Sequence, residues 1–92
     1  MSNDDFGLPR VKDDIVFREE DDGAFLFDPI KDNLRCLNET GAAVFRELDG
    51  KNSIDDIVEK LKSIHSEIAE EKIKEDVISF IKDLKIRGFL VE

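Results

Sequence analysis

Leu37-Asn38-Glu39-Thr40-Gly41-Ala42-Ala43-Val44-Phe45-Arg46-Glu47-Leu48-Asp49-Gly50 is the stretch on which the fold of this chain turns. Asn38 offers a side-chain oxygen suited to a helix N-cap, and Gly50 can adopt the left-handed conformation that ends a helix. Between them Ala42, Phe45 and Leu48 recur every third residue and Val44 widens the stripe. The spacing predicts an amphipathic helix of about three turns over 39–49, with small residues at Gly41, Ala42 and Ala43 that allow close packing.

Working upstream, Leu34-Arg35-Cys36-Leu37 reads as a short strand that runs directly into this helix. Before it, Ile15-Val16-Phe17-Arg18 and Ala24-Phe25-Leu26-Phe27 are rich in β-branched and aromatic residues. The acidic run Glu19-Glu20-Asp21-Asp22 ends in a turn-forming Asp22-Gly23 pair, so the two strands form a hairpin. Asp28-Pro29-Ile30-Lys31-Asp32-Asn33 is a second turn cluster, and three short antiparallel strands result. Residues 1–8 are polar and aperiodic and are expected to form a flexible arm, leaving 9–92 as the ordered domain.

Downstream, Ser53 opens a capping box with Asp56, and Ile54, Ile57, Val58, Leu61 and Ile64 follow at helical spacing, so a second helix should end near His65. A third has Glu70 and Glu71 at its positive end, Lys85 and Arg87 at its negative end, and Gly88 to stop it. Phe89-Leu90-Val91 should then fold back as an apolar tail. The expected fold is α+β, a three-stranded antiparallel sheet followed by three helices, in the manner of a small winged helix-turn-helix domain.

Composition narrows the function. At 92 residues and 40% hydrophobic content there is room for one core, which buries about 60–65% of the unfolded surface. The net charge is −9, and both the first 32 residues (ten acids, four bases) and the remainder (thirteen acids, ten bases) are acidic, so a phosphate backbone would be repelled. No apolar run approaches the roughly 18 residues needed to span a bilayer, and the acidic N-terminus lacks the bases of a secretory signal. Cys36 is the only cysteine, so no internal disulfide can form. These features point to a cytoplasmic protein that binds neither nucleic acid nor membrane. With no Trp or Tyr, the seven Phe residues are the main bulky core candidates.

The order and spacing of these segments resemble the PqqD family, whose members are called RiPP recognition elements because they bind the leader segment of ribosomally made precursor peptides. The resemblance runs from about Pro9 to Val91. Its most specific part is Leu37-Asn38-Glu39-Thr40-Gly41-Ala42-Ala43 through Leu48-Asp49-Gly50 to Ser53-Ile54-Asp55-Asp56-Ile57, similar to that family's Leu-Asn-x-Thr segment, Asp-Gly stop and second-helix start. Phe25-Leu26-Phe27-Asp28-Pro29 and Asp76-Val77-Ile78-Ser79-Phe80-Ile81-Lys82-Asp83-Leu84 with Gly88-Phe89-Leu90 are similar as well. The resemblance implies a non-enzymatic peptide chaperone without a cofactor of its own. It would add the leader as a strand to the edge Asn33, Leu34, Arg35, Cys36 and Leu37, in a groove against the third helix. The implied partners are a precursor peptide and a modifying enzyme, either a radical S-adenosylmethionine enzyme or a lasso-peptide leader peptidase.

The third helix can be tested for a spare apolar face. At about 100° per residue from Ile73, the residues Val77, Phe80 and Leu84 lie within about −20° to +40° and form the core stripe. Ile81, Lys74, Lys85 and Ile78 spread from about 80° to about 140°, a shoulder that a core stripe alone does not need. Val77, Ile78 and Ile81 would then accept leader side chains, with Lys74, Lys82 and Lys85 alongside to meet acidic residues. Alternatively, Ile78 touches the sheet or a loop, and Lys74 and Lys85 belong to a solvated face. Arg35 either reads the peptide or protects a bare edge from aggregation, and the two roles are compatible.

The other polar residues carry no chemistry of their own. His65 suits the end of a helix dipole, Cys36 reads as a half-buried strand residue, and the acid run reads as a solvated hairpin tip. A winged-helix DNA-binding regulator is the competing function, with Lys72, Lys74, Lys82, Lys85 and Arg87 on the third helix, but its wing would be the acidic loop. A structural subunit that docks on an enzyme without binding peptide is a further alternative.

Overall fold

The computed structural model describes residues 7–21 and 23–91. Of the expected arm, residues 1–6 lie outside the described residues, while Gly7 and Leu8 are exposed. The elements run β1 (Val16–Glu20), β2 (Gly23–Asp28), β3 (Asn33–Leu37), α1 (Glu39–Arg46), α2 (Ile54–Ile64) and α3 (Glu70–Arg87). Three antiparallel strands therefore precede three helices, as the sequence predicts. The sheet order is β1-β2-β3, which leaves β3 at an edge.

Strand alternation divides the sheet. Ala24, Leu26 and Asp28 of β2 are buried toward the helices, while Phe25 and Phe27 lie on the other face and stay half-exposed. Phe27 stands opposite both Val16 and Leu34, and Phe25 opposite both Arg18 and Cys36, so these residues share the outer face. Cys36 is exposed there, not half-buried. Glu20 pairs with Gly23, so the first hairpin turns in two residues, of which Asp22 lies outside the described set. Gly23 is required at that point: its φ is +149°, and a Cβ would sit 2.3 Å from the Leu37 carbonyl oxygen. In the next turn the buried Asp28 carboxylate accepts from the Ile30 and Lys31 amides at 3.0 and 3.3 Å.

The helices carry the caps that the sequence forecasts. The Asn38 side chain accepts from the Gly41 amide at 2.8 Å, and Ser53 and Asp56 form the reciprocal capping box. Gly88 takes φ +84° after α3, with Gly88 N–H donating to Lys85 O and Phe89 N–H to Leu84 O, a Schellman closure whose apolar clasp is the buried pair Leu84 and Phe89. One boundary differs. The helix expected over 39–49 stops at Arg46, because the N-terminal segment claims the backbone beyond it: Val11 N–H donates to Leu48 O and Gly50 N–H to Pro9 O. The same segment donates from Lys12 to Phe89 O and accepts from Val91 at Arg10 O, so it stitches the α1–α2 loop to the C-terminal tail.

The core is aliphatic. Leu26, Val44, Ile54, Ile57, Val77, Ile81 and Leu84 are fully buried, each worth about 1.5–3 kcal/mol relative to exposure. Of the described phenylalanines only Phe89 joins them. Phe17 and Phe45 stack on each other at 4.7 Å and are half-buried, and Ile64, at the margin of its stripe, is 66% exposed.

Candidate functional site

β3 bonds to β2 on one side only, and its other edge faces α3 across a cleft of about 420 Å³. Leu37, Val44, Leu61, Ile73 and Val77, all buried, supply apolar lining. Phe80 and Asp76 line it from α3, Asn38, Thr40 and Gly41 from the start of α1, and His65 and Ile68 from the α2–α3 connection. The upper end is polar: Lys72 holds Asp76 at 3.2 Å, and His65 Nδ1 lies 3.6 Å from the Glu67 carboxylate.

The lower end is bridged. Arg35 Nε donates to Asp83 Oδ2 at 2.8 Å, and Arg35 Nη1 donates to the Cys36 carbonyl at 2.9 Å. Arg87 Nε donates to the same carboxylate at 3.0 and 3.1 Å, and Asn33 Nδ2 donates to the Arg87 carbonyl at 2.9 Å. Partial burial works to raise the Asp83 pKa, but the hydrogen bonds from Arg35 and Arg87 outweigh it and hold the carboxyl below its ordinary range. Because Arg35 reaches across to α3 while bonding the Cys36 carbonyl, that carbonyl points away from β2. By strand alternation Leu34 presents its backbone groups to the same open edge.

The structure brings Arg35, Cys36, Leu37 and Val77 to the cleft and places Asn33 in the bridge below it. Leu34 lies on the outer sheet face, 56% exposed. The shoulder expected of α3 is placed elsewhere. Ile81 has no exposed surface and cannot receive a ligand side chain, because it is part of the core. Ile78 is half-buried against that core, and Lys74 reaches Asp55 at the start of α2 at 3.8 Å. Lys82 and Lys85 are exposed and line no part of the cleft. The flank that faces β3 is the opposite one, with Phe80 at about −20°, Asp76 at about −60° and Asp83 at about −80° on the same wheel. Phe80, expected in the core, is a half-buried lining residue of the cleft. The one signal for this side was the pairing potential of Arg35, the single base of β3, with an acid on α3.

An edge strand whose outward backbone groups are not bonded to another strand, beside an apolar cleft, can accept an extended peptide: main-chain bonds give affinity and side-chain pockets give selectivity. Among the described residues no group of three or more His, Cys, Asp or Glu could hold a metal ion. Nor is any helix of the described residues long and apolar enough to cross a membrane.

Comparison with known proteins gives a family and a fold. The sequence pattern of the family described as coenzyme PQQ synthesis protein D (PqqD) matches residues 23–90. No protein of curated function matches the chain. The structure described as "Lasso peptide synthetase B1 complexed with the leader peptide" is similar with a TM-score of 0.81 at 23% identity, over 94% of this chain and 100% of that one. A second, "TbiB1 in Complex with the TbiA(beta) Leader Peptide", gives a TM-score of 0.77 at 18% identity, over 88% of this chain and 93% of the other. At these identities the likeness is one of fold.

Proposed function

The chain belongs to the PqqD family, and from that premise we propose that it is a non-catalytic peptide chaperone of RiPP biosynthesis. It binds the leader segment of a ribosomally made precursor as an added strand on β3 and presents the core peptide to a modifying enzyme. The observation that carries this reading is the free edge of β3 beside the apolar cleft against α3. The two similar folds were both solved with a leader peptide bound, which supports the same use of this one.

Magnitudes decide what the cleft must contribute. The outward backbone groups of Leu34 and Cys36 offer about four hydrogen bonds, each worth about 0.5–1.5 kcal/mol net. That total is below the roughly 8 kcal/mol of a micromolar complex, before the cost of immobilising a flexible segment. Apolar leader side chains must supply the rest, and Leu37, Val77 and Phe80 are the surfaces they meet. The enzyme that takes the bound precursor is a radical S-adenosylmethionine enzyme or a lasso-peptide leader peptidase, and the complex assembles in the cytoplasm.

The test is a titration of isotope-labelled protein with the synthetic leader of its precursor peptide, following backbone amide shifts, with a short DNA duplex as the control arm. Shifts concentrated in residues 33–41 and 73–83 with the leader alone are expected. No shift with the leader, or shifts with the duplex, would overturn the proposal.

A further inference from the structure

We infer that Arg35 and Arg87 form an anion subsite at the foot of the cleft, which reads one acidic side chain of the bound segment; this rests on the leader-binding reading above. In a chain of net charge −9, two guanidinium groups here share a single carboxylate, that of Asp83. Both Asp83 oxygens are already engaged: Oδ2 accepts from Arg35 and Arg87, and Oδ1 from Arg87. A local surplus of one positive charge therefore sits beside the open strand. Arg35 and Arg87 side chains are 33% and 44% exposed, so an incoming carboxylate can reach them.

Strand addition itself creates the demand for that carboxylate. Arg35 Nη1 is bonded to the Cys36 carbonyl, the group to which an added strand must donate its own N–H. Docking displaces Nη1 while Nε keeps its bond to Asp83, so the guanidinium pivots and stays at the edge. Its freed donors form a planar fork that matches a carboxylate, and both oxygens of Asp83 already accept from the two arginines. The bond from Asn33 to the Arg87 carbonyl fixes the last turn of α3 against the start of β3, which holds the two arginines in register with the strand. The subsite also has a defined position. Two turns up the same flank, about 10 Å away, Asp76 is already held by Lys72, so an acid of the leader is drawn to the foot of the cleft and not to its upper end.

The experiment is a double-mutant cycle read by fluorescence anisotropy. Each Asp and Glu of the synthetic leader is replaced in turn by Asn or Gln, and every peptide is titrated into wild-type protein, Arg35→Gln and Arg35→Lys. One position should lose about tenfold in affinity on the wild type and less than about twofold on Arg35→Gln. Arg35→Lys, which keeps the charge but not the fork, should fall between them. If Arg35→Gln melts before it can be titrated, Arg87→Gln carries the same cycle. Losses within twofold for every peptide, or equal losses on wild type and variant, would overturn the subsite. Leader binding with a flat scan refutes the subsite alone, whereas no binding of the unaltered leader refutes the chaperone reading and the subsite with it.

Discussion

Replacing Gly23 with Ala should destabilise the domain more than any other single methyl group added at its described glycines. The new Cβ would lie 2.3 Å from the Leu37 carbonyl oxygen and 3.3 Å from its carbon, where 3.4 Å begins ordinary contact. Both atoms belong to backbone, so β2 and β3 must part by about 1 Å at that point, in the rung where Ala24 stands opposite Leu37. A lost ladder bond costs about 0.5–1.5 kcal/mol. Holding an L-residue at φ +149° costs a further 1–3 kcal/mol or so. Together these come to about 1.5–4.5 kcal/mol, which at about 4–8 °C per kcal/mol in a domain of this size lowers Tm by roughly 6–36 °C. Gly88→Ala is the comparison. Its φ of +84° carries a similar backbone cost, but its Cβ meets only Lys31 Nζ at 2.7 Å, the tip of an exposed side chain that can swing away. Thermal unfolding followed by circular dichroism should therefore rank wild type above Gly88→Ala, and Gly88→Ala above Gly23→Ala. A Gly23→Ala melt within about 3 °C of wild type, or above that of Gly88→Ala, would refute the close approach of the hairpin to β3.

Three further outcomes are expected. Phe80→Ala removes a half-buried ring from the cleft wall, and should cost about 1–2 kcal/mol of stability in urea but at least about tenfold in leader affinity; affinity within twofold would detach α3 from the site. Leu84→Ala opens the apolar clasp under Phe89 and should cost about 2–5 kcal/mol, against which a urea midpoint shift worth less than about 1 kcal/mol would count. Asp83→Asn tests the guanidinium bridge through pH. Because the folded pKa of Asp83 is depressed, its contribution is present above the unfolded carboxylate value near 4 and is lost as pH falls through the folded value. The variant should be less stable than wild type at pH 6, with the gap closing as pH falls below the ordinary carboxylate value; a gap that stays constant would refute the bridge.

Local chemistry made the elements legible, and long-range packing set what was not. Ser53 with Asp56, Asn38, Gly88 and Gly23 each fix a boundary within a few residues of themselves, so each could be read directly. The end of α1 could not, because Leu48 and Gly50 bond to Val11 and Pro9, some forty positions earlier in the chain. The groove wall failed for a related reason. A helical wheel gives the width of an apolar arc but not which flank a neighbour covers. Ile78 and Ile81 looked spare, yet one packs against the core and the other belongs to it, and Lys74 on the same shoulder leans toward Asp55 of α2. The flank of α3 that faces β3 is the one edged by Asp76 and Asp83, which sequence periodicity alone marks as solvated.

That placement explains why an edge strand next to a hydrophobic cleft can persist without a partner. A bare edge invites pairing with a second copy, and here the strand is only five residues long, with Arg35 donating to the outward carbonyl of Cys36 and Asn33 tied to α3 below. Both devices sit at the lower half of the cleft, while the upper half, under Asn38 and Thr40, carries no such bridge among the described residues. At about 3.3 Å per residue, the open edge spans roughly 17 Å, the length of about five residues of an added strand. The guanidinium of Arg35 covers the outward carbonyl of Cys36 against a second copy, and under the proposed strand addition it is the group that an incoming leader meets there.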